Sequence, residues 1–194
     1  MPTPLLPHLQ VQPLPYHDLL PLRDTRTLDT VVVHCTELPD LAMARAYGEK
    51  PLYGSGTGNS GHFYIDRSGS AYQYVGVDRV AHHVRGLNAN SIGIELVNTG
   101  RYPDWFDSRR QAMTEAYPDA QIAVLVRLVN VLCDRFPSLR FIAGHDELDL
   151  ERVPASDDPS VSVARKRDPG PLFPWTAVMQ AIPLQRLPTP PSQR

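Results

Sequence analysis

Cysteine is almost missing from this chain: Cys35 and Cys133 are the only two. Two thiols cannot make the disulfide framework of a small secreted scaffold, nor a zinc site built from cysteine alone. Both are expected to be buried and unpaired. Lysine is as scarce, with Lys50 and Lys166 standing alone among 19 basic residues. Arginine cannot replace lysine where a compact, movable cation is needed, so each surviving lysine is worth following. No apolar run nears the ~18–20 residues of a membrane span. The formal net charge is −2 and no basic stripe is present, so nucleic acid is not an expected partner. Pro2, Pro4, Pro7, Pro13 and Pro15 interrupt any apolar leader, and a cytoplasmic protein is expected.

What is present fits one globular domain. The chain has 194 residues, 42% hydrophobic and 21% charged, which excludes a fibre, a coiled coil and a fully disordered chain. A chain of this length buries roughly 70% of the surface it exposes when unfolded. The 20 prolines are unusual. They mark residues 1–27 as an extended arm and 183–194 as a frayed tail, leaving 28–182 as the domain.

Between arm and tail the pattern alternates. Thr30–His34 is a β-branched run and reads as a buried strand. Residues 41–47 suggest a short helix. Gly54, Gly56, Gly58 and Gly61 make a loop that lacks the Gly-Lys-Ser/Thr ending of a phosphate loop. Residues 62–66 and 71–75 read as a hairpin around Arg67-Ser68-Gly69-Ser70. In Ser91–Val97 the period of two puts Ile92, Ile94 and Leu96 on one face and Ser91, Gly93 and Glu95 on the other. A mid-strand carboxylate among small residues points to an open cleft on its face. Residues 119–136 form the clearest helix, with Asp119 as its expected cap and Ile122, Leu125, Val129, Leu132 and Phe136 as its apolar stripe. A strand over 139–143 leads to Gly144-His145, an acidic loop covers 148–164, and a last helix over 174–182 packs Trp175 and Val178. The predicted class is α/β: a single domain with a central mixed sheet flanked by helices.

His34 and His145 stand at the C-terminal ends of strands, where rigid backbone delivers side chains to a site. In an extended Lys166-Arg167-Asp168, residues 166 and 168 share a face. Two neutral imidazoles and a carboxylate make a zinc triad with an open fourth position, and Glu95 is the obvious general base beside it.

Val-Val-Val-His34-Cys-Thr, Gly61-His62-Phe63, Asn90-Ser-Ile-Gly-Ile-Glu95, Ala143-Gly-His145 and Lys166-Arg-Asp168-Pro-Gly-Pro occur in that order. Together, over about residues 28–180, they resemble the zinc-dependent N-acetylmuramoyl-L-alanine amidases of type 2, whose fold is shared with peptidoglycan recognition proteins. The resemblance implies that His34, His145 and Asp168 bind Zn²⁺, that Glu95 is the general base and that Lys166 stabilises the oxyanion. It implies a peptidoglycan or muropeptide substrate, cut between N-acetylmuramic acid and L-alanine; a monomer is expected. It places His83 along the substrate groove, although the doubled His82-His83 leaves that alignment open by one position. Asn88 and Asn90 enter the Glu95 strand, where they either bind peptide or sugar or cap the loop. Gly61 stands where some relatives carry Tyr, and the long 148–164 segment is expected to wall the groove.

Two other classes compete. A non-catalytic peptidoglycan-binding module shares the fold, but such modules typically lack part of the zinc set, which is complete here. A cysteine hydrolase would need Cys35 to meet His34, and adjacent strand residues face opposite ways.

Overall fold

The computed structural model describes residues 6–188. In chain order the elements are β1 (Gln10–Val11), β2 (Thr30–Cys35), α1 (Leu41–Gly48), β3 (Phe63–Ile65), β4 (Ala71–Gln73), β5 (Ser91–Leu96), α2 (Asp119–Arg135), β6 (Phe141–Gly144), α3 (His145–Leu148), β7 (Arg152–Pro154), β8 (Ser162–Ala164), α4 (Trp175–Ala181) and β9 (Gln185–Arg186). Seven strands form one sheet in the order β1-β4-β3-β5-β2-β6-β9. Only the β3–β4 hairpin is antiparallel, so the sheet is mixed, as the alternating pattern predicts.

Strand β2 is buried along its whole length, which is why its sequence is nearly continuous Val rather than alternating. Val31 and Val33 from β2, Ile92, Ile94 and Leu96 from β5, and Phe63 and Ile65 from β3 share one core with Leu125, Leu128, Val129 and Leu132 of α2 and Val178 of α4. A second cluster on the other face joins Leu14, Tyr16, Leu20, Ala44, Tyr64 and Tyr74. It covers only part of that face, and the remainder is the floor of a cleft.

The cap of helix α2 lies one residue earlier than expected. Pro118 is the capping residue and Asp119 is already in the first turn, with no side-chain capping bond. Its carboxylate there still favours the positive end of the helix dipole. Gln121 is a buried residue the apolar stripe omits; its amide donates to the Ile65 and Val97 carbonyls, tying helix to sheet.

Within the described residues both Pro-rich ends join the sheet, the N-terminal one as an arm laid along its edge and residues 183–188 as a paired segment where fraying is expected. β1 pairs with β4, with Gln10 opposite Tyr72, and Leu14 and Tyr16 are buried. Arg23 donates to the carbonyls of Val77, Asn88 and Ser91 at 2.8, 2.9 and 2.7 Å. At the other end β9 pairs with β6, and Leu184 is buried. Two-residue edge strands carry no periodicity of their own; their partners fix them. Residues 1–5 and 189–194 lie outside the described residues.

The 148–164 segment is not a plain loop. It folds into the β7–β8 ribbon, with Val153 opposite Val163. Among the described residues no helix is long and apolar enough to cross a membrane.

Candidate active site

Register assembles the site. Tyr64 of β3 pairs with Glu95 of β5, and Glu95 pairs with His34 of β2. Partners in a parallel ladder point to the same face, so these three side chains form a row across the sheet. In the next strand Gly144 pairs with Val33, which puts His145 one step beyond, beside His34. The 165–171 segment is then drawn in, the Asp146 N–H donating to the Asp168 carbonyl at 2.9 Å.

His34 Nδ1, His145 Nδ1 and Asp168 Oδ2 converge. The two nitrogens are 3.0 Å apart, and the carboxylate oxygen lies 3.0 Å from one and 3.1 Å from the other. All three residues are buried. Asp168 Oδ1 and His145 Nε2 have no partner. Each residue offers one ligand atom and the three atoms face one point. Two imidazoles and a carboxylate suit zinc, so the residues fit the ion that the sequence implies. Burial, and then His145, hold the His34 imidazole down to about 4, which keeps it the neutral ring a ligand must be.

Glu95 and Lys166 line the same cleft as these three residues. Burial pushes the Glu95 carboxyl up to about 8, the Asp168 charge adds to the shift, and Lys166 opposes it. That is the range in which a carboxyl exchanges protons near neutral pH. Gly61 makes room for it: a Cβ there would lie 2.8 Å from Glu95 Cγ and 3.2 Å from the Gly93 carbonyl oxygen. A side chain at this position is excluded by the pose of Glu95.

The structure separates the other candidates. His83 packs on the centre, its Nδ1 3.0 Å from His34 Nε2, while His82 lines the cleft further out, edge-on against Tyr53 at 5.0 Å. Asn88 lines the cleft, but its Oδ1 accepts from the His83 and Val84 N–H groups at 3.0 and 2.8 Å, so its carbonyl oxygen serves the loop. Asn90 does not line the cleft; its backbone carbonyl receives the N–H groups of Asp29 and Thr30 at the start of β2. His62, from the same motif as Phe63, is a core residue whose Nδ1 accepts from the Gly93 N–H at 3.0 Å. Cys35 joins the core on the face opposite His34, and burial, then Asp168, push its thiol well up. Both its face and its raised thiol pKa count against a thiolate nucleophile. The β7–β8 ribbon does not wall the groove; Arg165, just after it, does.

Sequence reasoning missed the Glu37–Arg101 pair. Arg101 donates to both Glu37 carboxylate oxygens at 2.7 and 2.8 Å, and to the Ala164 and Arg165 carbonyls at 2.9 and 3.3 Å. A bidentate guanidinium thus fastens the exit of β2 to the residues just before Lys166. Glu37 has φ 48°, a left-handed conformation that a single sequence does not announce. Tyr53, Trp105 and Phe106 also line the cleft. Tyr53 lies on a different loop from the adjacent Trp105 and Phe106, so no spacing could have grouped the three.

The chain is similar to known proteins over most of its length. The N-acetylmuramoyl-L-alanine amidase family model matches residues 24–171. The chain is 28% identical over 186 residues to the 1,6-anhydro-N-acetylmuramyl-L-alanine amidase AmpD of Enterobacter cloacae, with 84% of each chain covered. A solved selenomethionine AmpD derivative superposes with a TM-score of 0.65 at 26% identity, over 91% of this chain and 96% of that one. Bumblebee PGRP-SA superposes with a TM-score of 0.64 at 16% identity, over 95% of this chain and 100% of the other, a likeness of fold alone. Its sheet, its cleft and the family match over most of its length place this chain in the N-acetylmuramoyl-L-alanine amidase family.

Proposed function

We propose that this amidase holds zinc between His34, His145 and Asp168 and acts on soluble muropeptides that carry a 1,6-anhydro sugar. The amide cut joins N-acetylmuramic acid to L-alanine. The observation that carries the reading is the convergence of two imidazole nitrogens and one carboxylate oxygen in a cleft that Glu95 and Lys166 also line. The anhydro sugar is supported by the Enterobacter cloacae relative, which bears that substrate in its name and matches over most of both chains.

When bound, the ion supplies Lewis acidity to the scissile carbonyl and to water. Glu95 takes a proton from the attacking water and returns it to the departing alanine nitrogen. A carboxyl raised by burial suits both halves of that exchange. The Lys166 ammonium stands against the charge that develops on the carbonyl oxygen.

Product analysis tests the substrate. Purified protein given a 1,6-anhydro-muropeptide is expected to release free peptide and sugar, identified by mass, and to do so faster than it releases peptide from intact sacculi. Equal or faster release from sacculi overturns the choice of substrate.

Lys166 gives a separate expectation. If it were only a solvated cation, Lys166→Arg would be silent to within about 0.5 kcal/mol. An arginine fork is wider and planar and misplaces the charge. Lys166→Arg is therefore expected to keep its zinc and lose about tenfold in turnover, and Lys166→Ala about 10²-fold. KM should change little, because the contact is made chiefly in the transition state. Measured kcat at wild-type level in Lys166→Ala would remove the residue from the reaction.

A further inference from the structure

The reaction steps assigned to Glu95 and Lys166 leave His83 without a task, and the resemblance gives it only a place along the groove. Its ring packs against His34, with Nδ1 3.0 Å from His34 Nε2 and Nε2 3.2 Å from Ser91 Oγ. The Ser91 hydroxyl donates onward to the Leu87 carbonyl at 2.7 Å. A carbonyl only accepts, so the hydroxyl proton is committed to Leu87 and the Ser91 oxygen is left to accept. His83 Nε2 must then carry the ring proton, which in a neutral imidazole leaves Nδ1 bare. It follows that His34 Nε2 donates to His83 Nδ1 and that His34 Nδ1 bears the lone pair. That Nδ1 is the atom 3.0 Å from both His145 Nδ1 and Asp168 Oδ2.

The surroundings hold the ring in this pose. Asn88 Oδ1 clamps the His83 and Val84 N–H groups. Arg23 donates to the Asn88 and Ser91 carbonyls and so pins the loop close to its entry into β5. A Cβ on Gly93 would sit 2.6 Å from the His83 ring, so only glycine at 93 lets the ring lie where it does. The other imidazole of the centre has nothing comparable: His145 Nε2 has no partner.

We propose that His83 is a positioning residue for the metal centre, the link between Ser91 and His34 in a Leu87–Ser91–His83–His34 hydrogen-bond chain that fixes His34 as its Nε2–H tautomer and aims the Nδ1 lone pair at the metal. This rests on the zinc reading above, and it gives His83 a role other than contact with substrate. Partners on the outer nitrogen of a ligating histidine typically contribute 10–100-fold in metal affinity.

The test measures zinc affinity by competition with a chromogenic chelator, alongside turnover. His83→Ala is expected to raise the zinc dissociation constant by roughly 10–100-fold. His83→Gln, which keeps an acceptor for the His34 N–H, should recover most of that loss, and Ser91→Ala should weaken zinc less than His83→Ala does. An unchanged zinc affinity in His83→Ala, with only KM raised, overturns the proposal in favour of a substrate contact. Histidine ¹⁵N spectra of the wild-type protein decide the matter without any variant. His83 should be protonated at Nε2 and bare at Nδ1, with and without zinc, and a proton on His83 Nδ1 overturns the chain. Wild-type protein that binds no zinc would overturn the metal reading itself, a result the spectra keep distinct from failure of the chain.

Discussion

Stripping zinc from the purified protein with a chelator is expected to abolish hydrolysis, and adding the ion back is expected to restore it. The reason lies in the contacts of three buried groups. His34 Nδ1, His145 Nδ1 and Asp168 Oδ2 stand 3.0–3.1 Å apart, close enough for all three to reach one cation. An ion that binds the folded chain and not the unfolded one also stabilises it, by about 2.7 kcal/mol at a hundredfold excess over its dissociation constant. For a chain of this length that corresponds to a rise of roughly 5–11 °C in Tm. Asp168→Ala should lose the activity and the zinc-dependent rise together. Melting curves with and without zinc, run beside a turnover assay, check both. Undiminished hydrolysis after verified removal of the metal would sink the mechanism.

Glu95→Gln is expected to lower kcat by roughly 10²–10⁴-fold while leaving zinc bound. The amide keeps the size of the side chain and removes the proton acceptor. The pH profile carries more information than the single rate. A general base works when deprotonated, so turnover rises with pH up to the pKa of Glu95 and then levels. Burial and the Asp168 charge place that carboxyl at about 8. Lys166 favours the carboxylate and lowers the pKa, and a divalent cation in the centre acts in the same sense, so in the zinc-loaded enzyme the acid limb falls below 8. Lys166→Ala removes one of the two positive charges and should move the limb to higher pH. Glu95→Gln should abolish it. A limb that survives in Glu95→Gln assigns the base to another group.

The sequence by itself determined the elements whose side chains repeat. The β-branched run Thr30–His34 made β2 legible, and the alternation in β5 put Glu95 on the face opposite Ile92, Ile94 and Leu96 before any neighbour was known. The motifs around His34, Glu95, His145, Lys166 and Asp168 carried the resemblance, because a metal site and its base need fixed residue types at the ends of fixed elements. Periodicity says nothing of which strand lies beside which, and that lateral order is what the tertiary structure decided. The registers Tyr64–Glu95 and Glu95–His34 make one row of residues 31 apart and 61 apart in the chain. The edge strands β1 and β9 are two residues each, too short to show a pattern, and exist because β4 and β6 offer them open ladders. The Glu37–Arg101 clamp joins residues 64 positions apart. The role of His83 is decided in the same way. A single histidine in sequence has two tautomers and no direction, and only the fold, by setting Ser91 on one side of the ring and His34 on the other, chooses between them.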